Sequence, residues 1–360
     1  MTTTTSRLPF LTVHTLTALP WHNLNRDENG SPKQLTEGGV TRARLSSQSL
    51  KRAARIGFER STECAEASVR TKTVPALVVK RVEELTGPME PKEREALRTK
   101  VMNRVGTLTH TTTDGKKETL VWLSAGELET LAQTYAKDRG ADKVAPVENT
   151  STGSLAIAGF GRMFAAAPDL SLRAAVAVSD AITTHAAEIE LDWFAAVDDG
   201  INARAGAGQL GFTMQTTGVY YRSFTIDRAQ LARNYDLPLD SAAAEPQLRS
   251  FIRHLTLALP GGREAGTAAH TLPALIVAEE QAQRVAYDFH EPVTRAEDGG
   301  FLRPSIQALL NKAADARAFD PDLFGETFYT GTEAAHHLGA VPVGTFAGYT
   351  DFVLDFLRAA

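Results

Sequence analysis

Between residues 38 and 58 the residue pattern switches period, and that switch constrains the fold more than any other stretch. In "VTRARLS", Thr41, Ala43 and Leu45 fall on one side of an extended chain and Arg42 and Arg44 on the other, which predicts a strand. "SSQSLKRAARIGF" then follows a helical period, with Ser46 or Ser47 placed to cap it. On that helix Gln48, Lys51, Arg52 and Arg55 gather on one side, opposite Leu50, Ala53, Ala54 and Gly57. The small apolar side predicts a helix seated closely on a sheet, its basic ridge facing outward. A strand feeding directly into such a helix points to a mixed fold.

The ridge runs against the composition. The chain has 360 residues with 38 Lys and Arg against 43 Asp and Glu, yet residues 38–58 carry five basic side chains and no acid. Residues 1–80 hold 12 basic and 6 acidic side chains, so the rest of the chain is strongly acidic. A one-sign block in an acidic protein implies a local anionic partner. The length allows two domains, or one with a large insertion, and 43% hydrophobic residues suffice for a packed core. A single cysteine, Cys64, excludes an intrachain disulfide and suits a reducing compartment. No apolar run approaches 18 residues, and "MTTTTSRLPFLTV" has no leader-like apolar region. The expectation is a cytoplasmic protein without membrane association.

Elsewhere "FLTVHTLTAL" predicts a strand ended by Pro20, followed by the turn-rich loop "NLNRDENGSPKQLTEGG". "PMEPKEREALRTKVMNRV", "SAGELETLAQTYAKDRG" and "SLRAAVAVSDAITTHAAEIE" predict helices, the second opened by a Ser124/Glu127 capping box. "INARAGAGQLG" reads as a Gly/Ala connector and "TGVYYRSFTID" as a strand. A helix near residues 246–259, a strand near 272–277, and a turn into a helix at "DGGFLRPSIQALL" complete the pattern. The fold class is α+β, a sheet with packed helices built from both ends of the chain around a helical insertion. A ferredoxin-like sheet fits it.

Motifs of catalysis are missing from the sequence: there is no HExxH, CxxC or GxSxG. His336 and His337 are adjacent and do not share a helix face. "GFGRMF" lacks the third glycine of a dinucleotide loop and half-matches an RNA-contacting strand motif. Asp27 and Glu28 lie in the loop beside the basic helix, and Asp192, Asp198 and Asp199 cluster later, without spacing diagnostic of a metal-dependent nuclease. No catalytic residue, metal ligand or cofactor is assigned. In "LDWF", Trp193 and Phe194 suit either a core or a wedge between bases.

The segment "NLNRDENGSPKQLTEGGVTRARLSSQSLKRAAR" closely resembles the opening of the backbone subunit of type I-E CRISPR Cascade, the CasC family. "AITTHAAEIELDWFAAVDD", "TTGVYYRSFTID" and "GGFLRPSIQA" resemble the same family in the same order. The resemblance implies an RRM-like (ferredoxin-like) palm with an inserted helical fingers domain and a β-hairpin thumb. Palm would be residues 1–58 and 221–360, fingers 59–180, and thumb 187–220. It implies a non-catalytic subunit whose copies stack head to tail on CRISPR RNA beside other Cascade subunits. The resemblance further implies that thumbs displace bases periodically, that target DNA pairs with the segments between, and that a recruited helicase-nuclease cuts it. By resemblance, Arg26, Lys33, Gln48, Lys51, Arg52 and Arg55 hold the RNA backbone, and Met163, Trp193, Phe194, Val197 and Leu210 support the displaced base. Lys116, Lys117 and Lys143 are candidates for target-DNA contact in the fingers.

Two other classes remain open at this point. One is a metal-dependent endoribonuclease using Asp27, since related type III backbone proteins cut RNA with a loop aspartate. The other is a monomeric RNA-binding module.

Overall fold

The computed structural model describes residues 7–109, 120–141, 144–197 and 207–359. Strands β1 (Phe10–His22), β2 (Gln34–Glu37) and β3 (Val40–Leu45) lead into α1 (Ser47–Glu59). There follow β4 (Ser68–Thr71), α2 (Val74–Thr86), α3 (Pro91–Val105), β5 (Val121–Ser124), α4 (Ala125–Lys137) and α5 (Leu155–Phe160). Next come β6 (Val176–Val178), β7 (Ala181–Thr183), β8 (Ile189–Val197), β9 (Ala207–Asp227), α6 (Arg228–Asn234) and α7 (Glu245–Leu257). The chain closes with α8 (Glu264–Thr267), β10 (Leu275–Gln281), α9 (Leu302–Phe319), β11 (Phe324–Thr330), α10 (Ala334–His337) and α11 (Phe346–Arg358).

These elements form two compact units. One comprises the residues up to Ile56, Val178–Ile226, and Ile252 onward; the other comprises Gly57–Ala177 and Asp227–Phe251.

In the first unit the strands run in the order β11-β10-β1-β9-β7-β3-β2. β1 lies between β10 and β9, and its consecutive residues from Leu11 to Thr17 are all buried, so both of its faces are covered as well as its edges. One apolar cluster joins Leu16, Val219, Leu275 and Val277 to Ile306 and Leu309 of α9. A second joins Leu19, Leu24, Ala43, Leu45 and Tyr220 to Leu50, which seats α1 on the sheet. Fully burying such a side chain is worth about 1.5–3 kcal/mol. β2 and β3 are joined by Gly38 and Gly39, at φ +61° and +77°, in a two-residue turn whose positive φ angles favour glycine. A Cβ at Gly38 would also strike the His290 carbonyl oxygen. β8 and β9 form a hairpin, in register from Ile189 opposite Thr216 to Ala196 opposite Gln209, with a one-residue shift before Val197 opposite Ala207.

In the second unit α2, α3 and α4 pack around Val78, Val82, Leu97, Val101, Leu131 and Tyr135, beside the β4–β5 ribbon. The capping box at α4 is present: Ser124 accepts from the Glu127 amide at 3.1 Å, and Glu127 accepts from the Ser124 amide at 2.8 Å. The architecture is α+β: a sheet-based palm, an inserted helical unit and a β-hairpin.

Three local readings are corrected. "SLRAAVAVSDAITTHAAEIE" is not a helix but contains β6, β7 and the start of β8. Alanine-rich composition mimics a helix former there, while cross-strand pairing of Ile182 with both Arg44 and Tyr221 decides for strand. The connector "INARAGAGQLG" gives way to β9 from Ala207 onward. Finally, β1 continues past Pro20 to His22.

Candidate nucleic-acid interface

α1 presents the expected division of sides. Leu50, Ala54 and Phe58 are buried, Gln48 and Arg52 are exposed, and Lys51 and Arg55 are half-buried. Its first turn is capped from elsewhere in the chain. Ser46 is the residue preceding the helix, and its hydroxyl accepts from the Ser49 amide at 3.4 Å. Asp180 Oδ1 accepts from the Ser47 amide at 2.7 Å, and Asn25 Oδ1 accepts from the Ser46 amide at 2.9 Å. A carboxylate on a helix N-terminus satisfies amides that lack intrahelical partners and complements the helix dipole.

Asp180 also alters the ridge. It pairs with Arg44 at 2.6 Å, and its negative charge partly offsets the burial that pushes the Lys51 ammonium below its ordinary range. The ridge is acid-free along the sequence, but the fold supplies this one carboxylate from β7's approach.

The strand preceding the helix adds less outward charge than its alternation predicts. Arg42 is completely buried. Its Nη1 donates to the Thr183 carbonyl at 2.7 Å and its Nη2 to the Phe289 carbonyl at 2.7 Å. Burial lowers its pKa, against a weaker upward pull from Glu37. Arg42 therefore ties β3 to the segment before α9 rather than facing solvent.

The loop between β1 and β2 carries the other two candidate cations, Arg26 exposed and Lys33 half-buried. Its tip is a backbone turn built on Asp27, whose Oδ1 accepts from the Asn29 and Ser31 amides, each at 2.9 Å. The Lys33 amide donates to the Asn25 carbonyl at 2.8 Å, and the Lys33 carbonyl accepts from the Arg44 amide at 2.8 Å. Through Asn25 the loop is joined to the first turn of α1, so Arg26, Lys33, Gln48, Lys51, Arg52 and Arg55 belong to one connected piece of structure.

The hairpin sorts its side chains by face. Trp193 stands opposite Phe212, Ala195 opposite Leu210, and Leu191 opposite Met214, making one apolar face. Trp193 is 70% exposed and Leu210 73%, and the Trp193 and Phe212 rings meet at 5.4 Å. Phe194 points to the other face, opposite Gly211, where a Cβ would collide with its ring. An aromatic ring laid over a cross-strand glycine is a recognised stabiliser of strands. Trp193 and Phe194 thus do not act together on one face. Phe212 was missed from the sequence because it falls just after the stretch read as connector.

Met163 belongs to the second unit. It is 83% exposed, on an irregular stretch anchored by its neighbours. Arg162 is bonded to Glu127 at 2.6 Å and lies over the Phe164 ring at 4.9 Å. Gly161, at φ +72°, leaves no room for a Cβ against Leu172 and Ala174. The side chain of Val197 lies outside the described residues, as do Lys116, Lys117, Lys143, Asp198 and Asp199.

Among the described residues, no group of three or more His, Cys, Asp or Glu side chains could hold a metal ion, and no helix is long and apolar enough to cross a membrane. What the arrangement can do is bind an anionic polymer. Amide and guanidinium donors stand on a rigid helix and a fastened loop, beside a hairpin with exposed aromatic rings.

A model of the family described as CT1975-like protein matches residues 11–341. A chain of a "CRISPR RNA-guided surveillance complex, pre-nicking" superposes with TM-score 0.80 at 27% identity, covering 97% of this chain and all of that one. A chain of a "CRISPR RNA-guided surveillance complex" superposes with TM-score 0.70 at 21% identity, covering 96% of this chain and 99% of that one, and shares the fold. No curated protein matches the sequence.

Proposed function

The chain belongs to the CT1975-like protein family, and we propose that it is an RNA-binding backbone subunit of a CRISPR RNA-guided surveillance complex of the type I-E Cascade kind. The observation that carries this reading is the connected set of cations on α1 and the β1–β2 loop, seated in a fold that matches a surveillance-complex chain along its whole length. Arg26, Lys33, Gln48, Lys51, Arg52 and Arg55 would hold RNA phosphates. Phosphates supply most of nucleic-acid affinity and carry no sequence information. A protein that grips backbone alone accepts any guide and leaves base edges free to pair with target DNA.

The hairpin would supply base displacement, Trp193 and Leu210 from one face and Phe194 from the other, with Val197 a further candidate; Met163, in the second unit, is a separate candidate. In this account copies associate head to tail along the CRISPR RNA in the cytoplasm, since a heterologous contact that does not close produces a row of subunits. Other Cascade subunits complete the complex, and a recruited helicase-nuclease does the cutting. The palm would span residues 1–58 and 221–360, the fingers 59–180 and the thumb 187–220. No catalytic residue is assigned. Asp27, the candidate for RNA cleavage, has its Oδ1 engaged in forming the loop turn, which supports a structural role.

Light scattering of the purified chain with RNAs of increasing length tests the assembly. Mass should rise in steps with RNA length. A fixed stoichiometry at every length would contradict the proposal.

A further inference from the structure

The β1–β2 loop is fastened at two places by two asparagines that work in opposite senses. Asn25 is an acceptor: its Oδ1 takes the Ser46 amide at 2.9 Å and faces the Ser49 hydroxyl at 3.1 Å, both at the first turn of α1. Asn23 is a donor: fully buried, its Nδ2 gives one bond to the Gly30 carbonyl at 2.9 Å and one to the Met214 carbonyl at 2.8 Å. Met214 stands opposite Leu191 in the hairpin, and the Ser31 hydroxyl reaches its sulfur at 2.8 Å. The loop therefore bridges the first turn of the basic helix and the foot of the hairpin.

We propose that Asn23 and Asn25 are positioning residues of the RNA grip, holding Arg26 and Lys33 in fixed register with the α1 ridge on one side and the hairpin on the other. The proposal rests on the reading of that ridge as an RNA-backbone site. Long cationic side chains already lose rotamer freedom when they bind a phosphate; a mobile loop beneath them would add its own ordering cost. A loop pinned at both ends removes that second cost. It also fixes the distance between the gripped phosphates and any base meeting the hairpin.

The donor and acceptor roles give a test that ordinary destabilisation does not imitate. A carboxylate accepts hydrogen bonds but donates none. Asn25→Asp keeps the bond from Ser46 at a helix N-terminus, where an acid is well tolerated. Asn23→Asp loses both donated bonds and buries a charge.

The experiment is a double-mutant cycle on the full chain. Affinity for fluorescent single-stranded RNA is measured by anisotropy at several salt concentrations. Arg26→Ala should weaken binding about tenfold, the size of one charge-assisted contact. In an Asn25→Ala background the same change should matter less than about twofold, because the arginine is no longer held. In an Asn25→Asp background the tenfold effect should return. Asn25→Ala should also lower the log–log salt slope by about 1.4, two single-strand phosphate contacts. Asn23→Asp should blur the periodic nuclease footprint; if it does not fold, Asn23→Ser reads the same quantity.

Additive losses at Asn25 and Arg26, or Asn25→Asp behaving like Asn25→Ala, would overturn the role of Asn25. An unchanged footprint in a folded Asn23 variant would overturn that of Asn23. Undiminished affinity in Lys51→Ala/Arg55→Ala would instead sink the underlying ridge reading, so the two failures are distinguishable.

Discussion

At the centre of the sheet, β1 and β10 bury His14 and Glu279 completely, whereas the β8–β9 hairpin leaves Trp193 and Leu210 largely in solvent. Most of the buried polar groups there are hydrogen-bonded, while His14 Nε2 meets Glu279 only as a close ionic contact. Glu279 receives Tyr287 Oη at 2.8 Å and Arg317 Nη2 at 3.0 Å, and His14 Nε2 stands 3.3 Å away. His14 Nδ1 lies 2.9 Å from Tyr221 Oη, and Thr12 donates to Gln281 at 2.6 Å. Burial alone would raise the Glu279 pKa, but His14, Tyr287 and Arg317 outweigh it and hold the carboxyl below its ordinary range. The hairpin has the opposite balance, with the Trp193 ring meeting Phe212 across the strands and standing largely in water. Buried polar groups that are satisfied explain themselves structurally. An exposed apolar face is the more informative observation, because folding gives it no reason to be there.

If that contrast is right, the two regions respond oppositely to truncation. Glu279→Ala should remove about 3–5 kcal/mol of stability, since Arg317 and Tyr287 lose a buried partner. Urea denaturation of the free chain measures this, and a loss below 1 kcal/mol would mean the network is dispensable.

His22, at the end of β1, sharpens the comparison through pH. Burial lowers its pKa from 6.5 to about 4. The unfolded chain therefore takes up the proton first as pH falls. The contribution of neutral His22 is complete above the unfolded value, and about 3 kcal/mol of it is lost between pH 6.5 and about 4. His22→Gln should flatten that part of the stability–pH curve. An identical slope in wild type and variant would remove His22 as its source.

The smallest stability effect belongs to the hairpin. Trp193→Ala should change the free chain by about 1 kcal/mol or less, the size of one aromatic pair with Phe212. It should nevertheless erase the periodic nuclease footprint on bound RNA. A melting loss of several kcal/mol with an intact footprint would place Trp193 in a core and dissolve the contrast.

How far the sequence could be read follows the range of the interactions. The strand-to-helix switch at residues 38–58 and the Ser124/Glu127 capping box are local, and both are legible. Asp180 at the foot of α1, Asn25 across from Ser46, and the burial of Arg42 against Thr183 and Phe289 depend on partners far along the chain. Alternation placed Arg42 and Arg44 on one side, but distant carbonyls decide which of them is taken inside. The β6–β7 stretch was misread because short, alanine-rich strands owe their conformation to neighbouring strands rather than to their own residues. Phe212 became visible only through its register with Trp193.

The central claim is that the α1 ridge and its loop grip RNA by phosphate alone. Its most direct test is the salt dependence of affinity for several unrelated single-stranded RNAs, comparing wild type with Lys51→Ala/Arg55→Ala. The account predicts nearly equal affinities across sequences and a log–log slope lower by about 1.4 in the variant for every RNA. Wild-type affinity and slope in the variant, or a strong preference for one sequence, would contradict it.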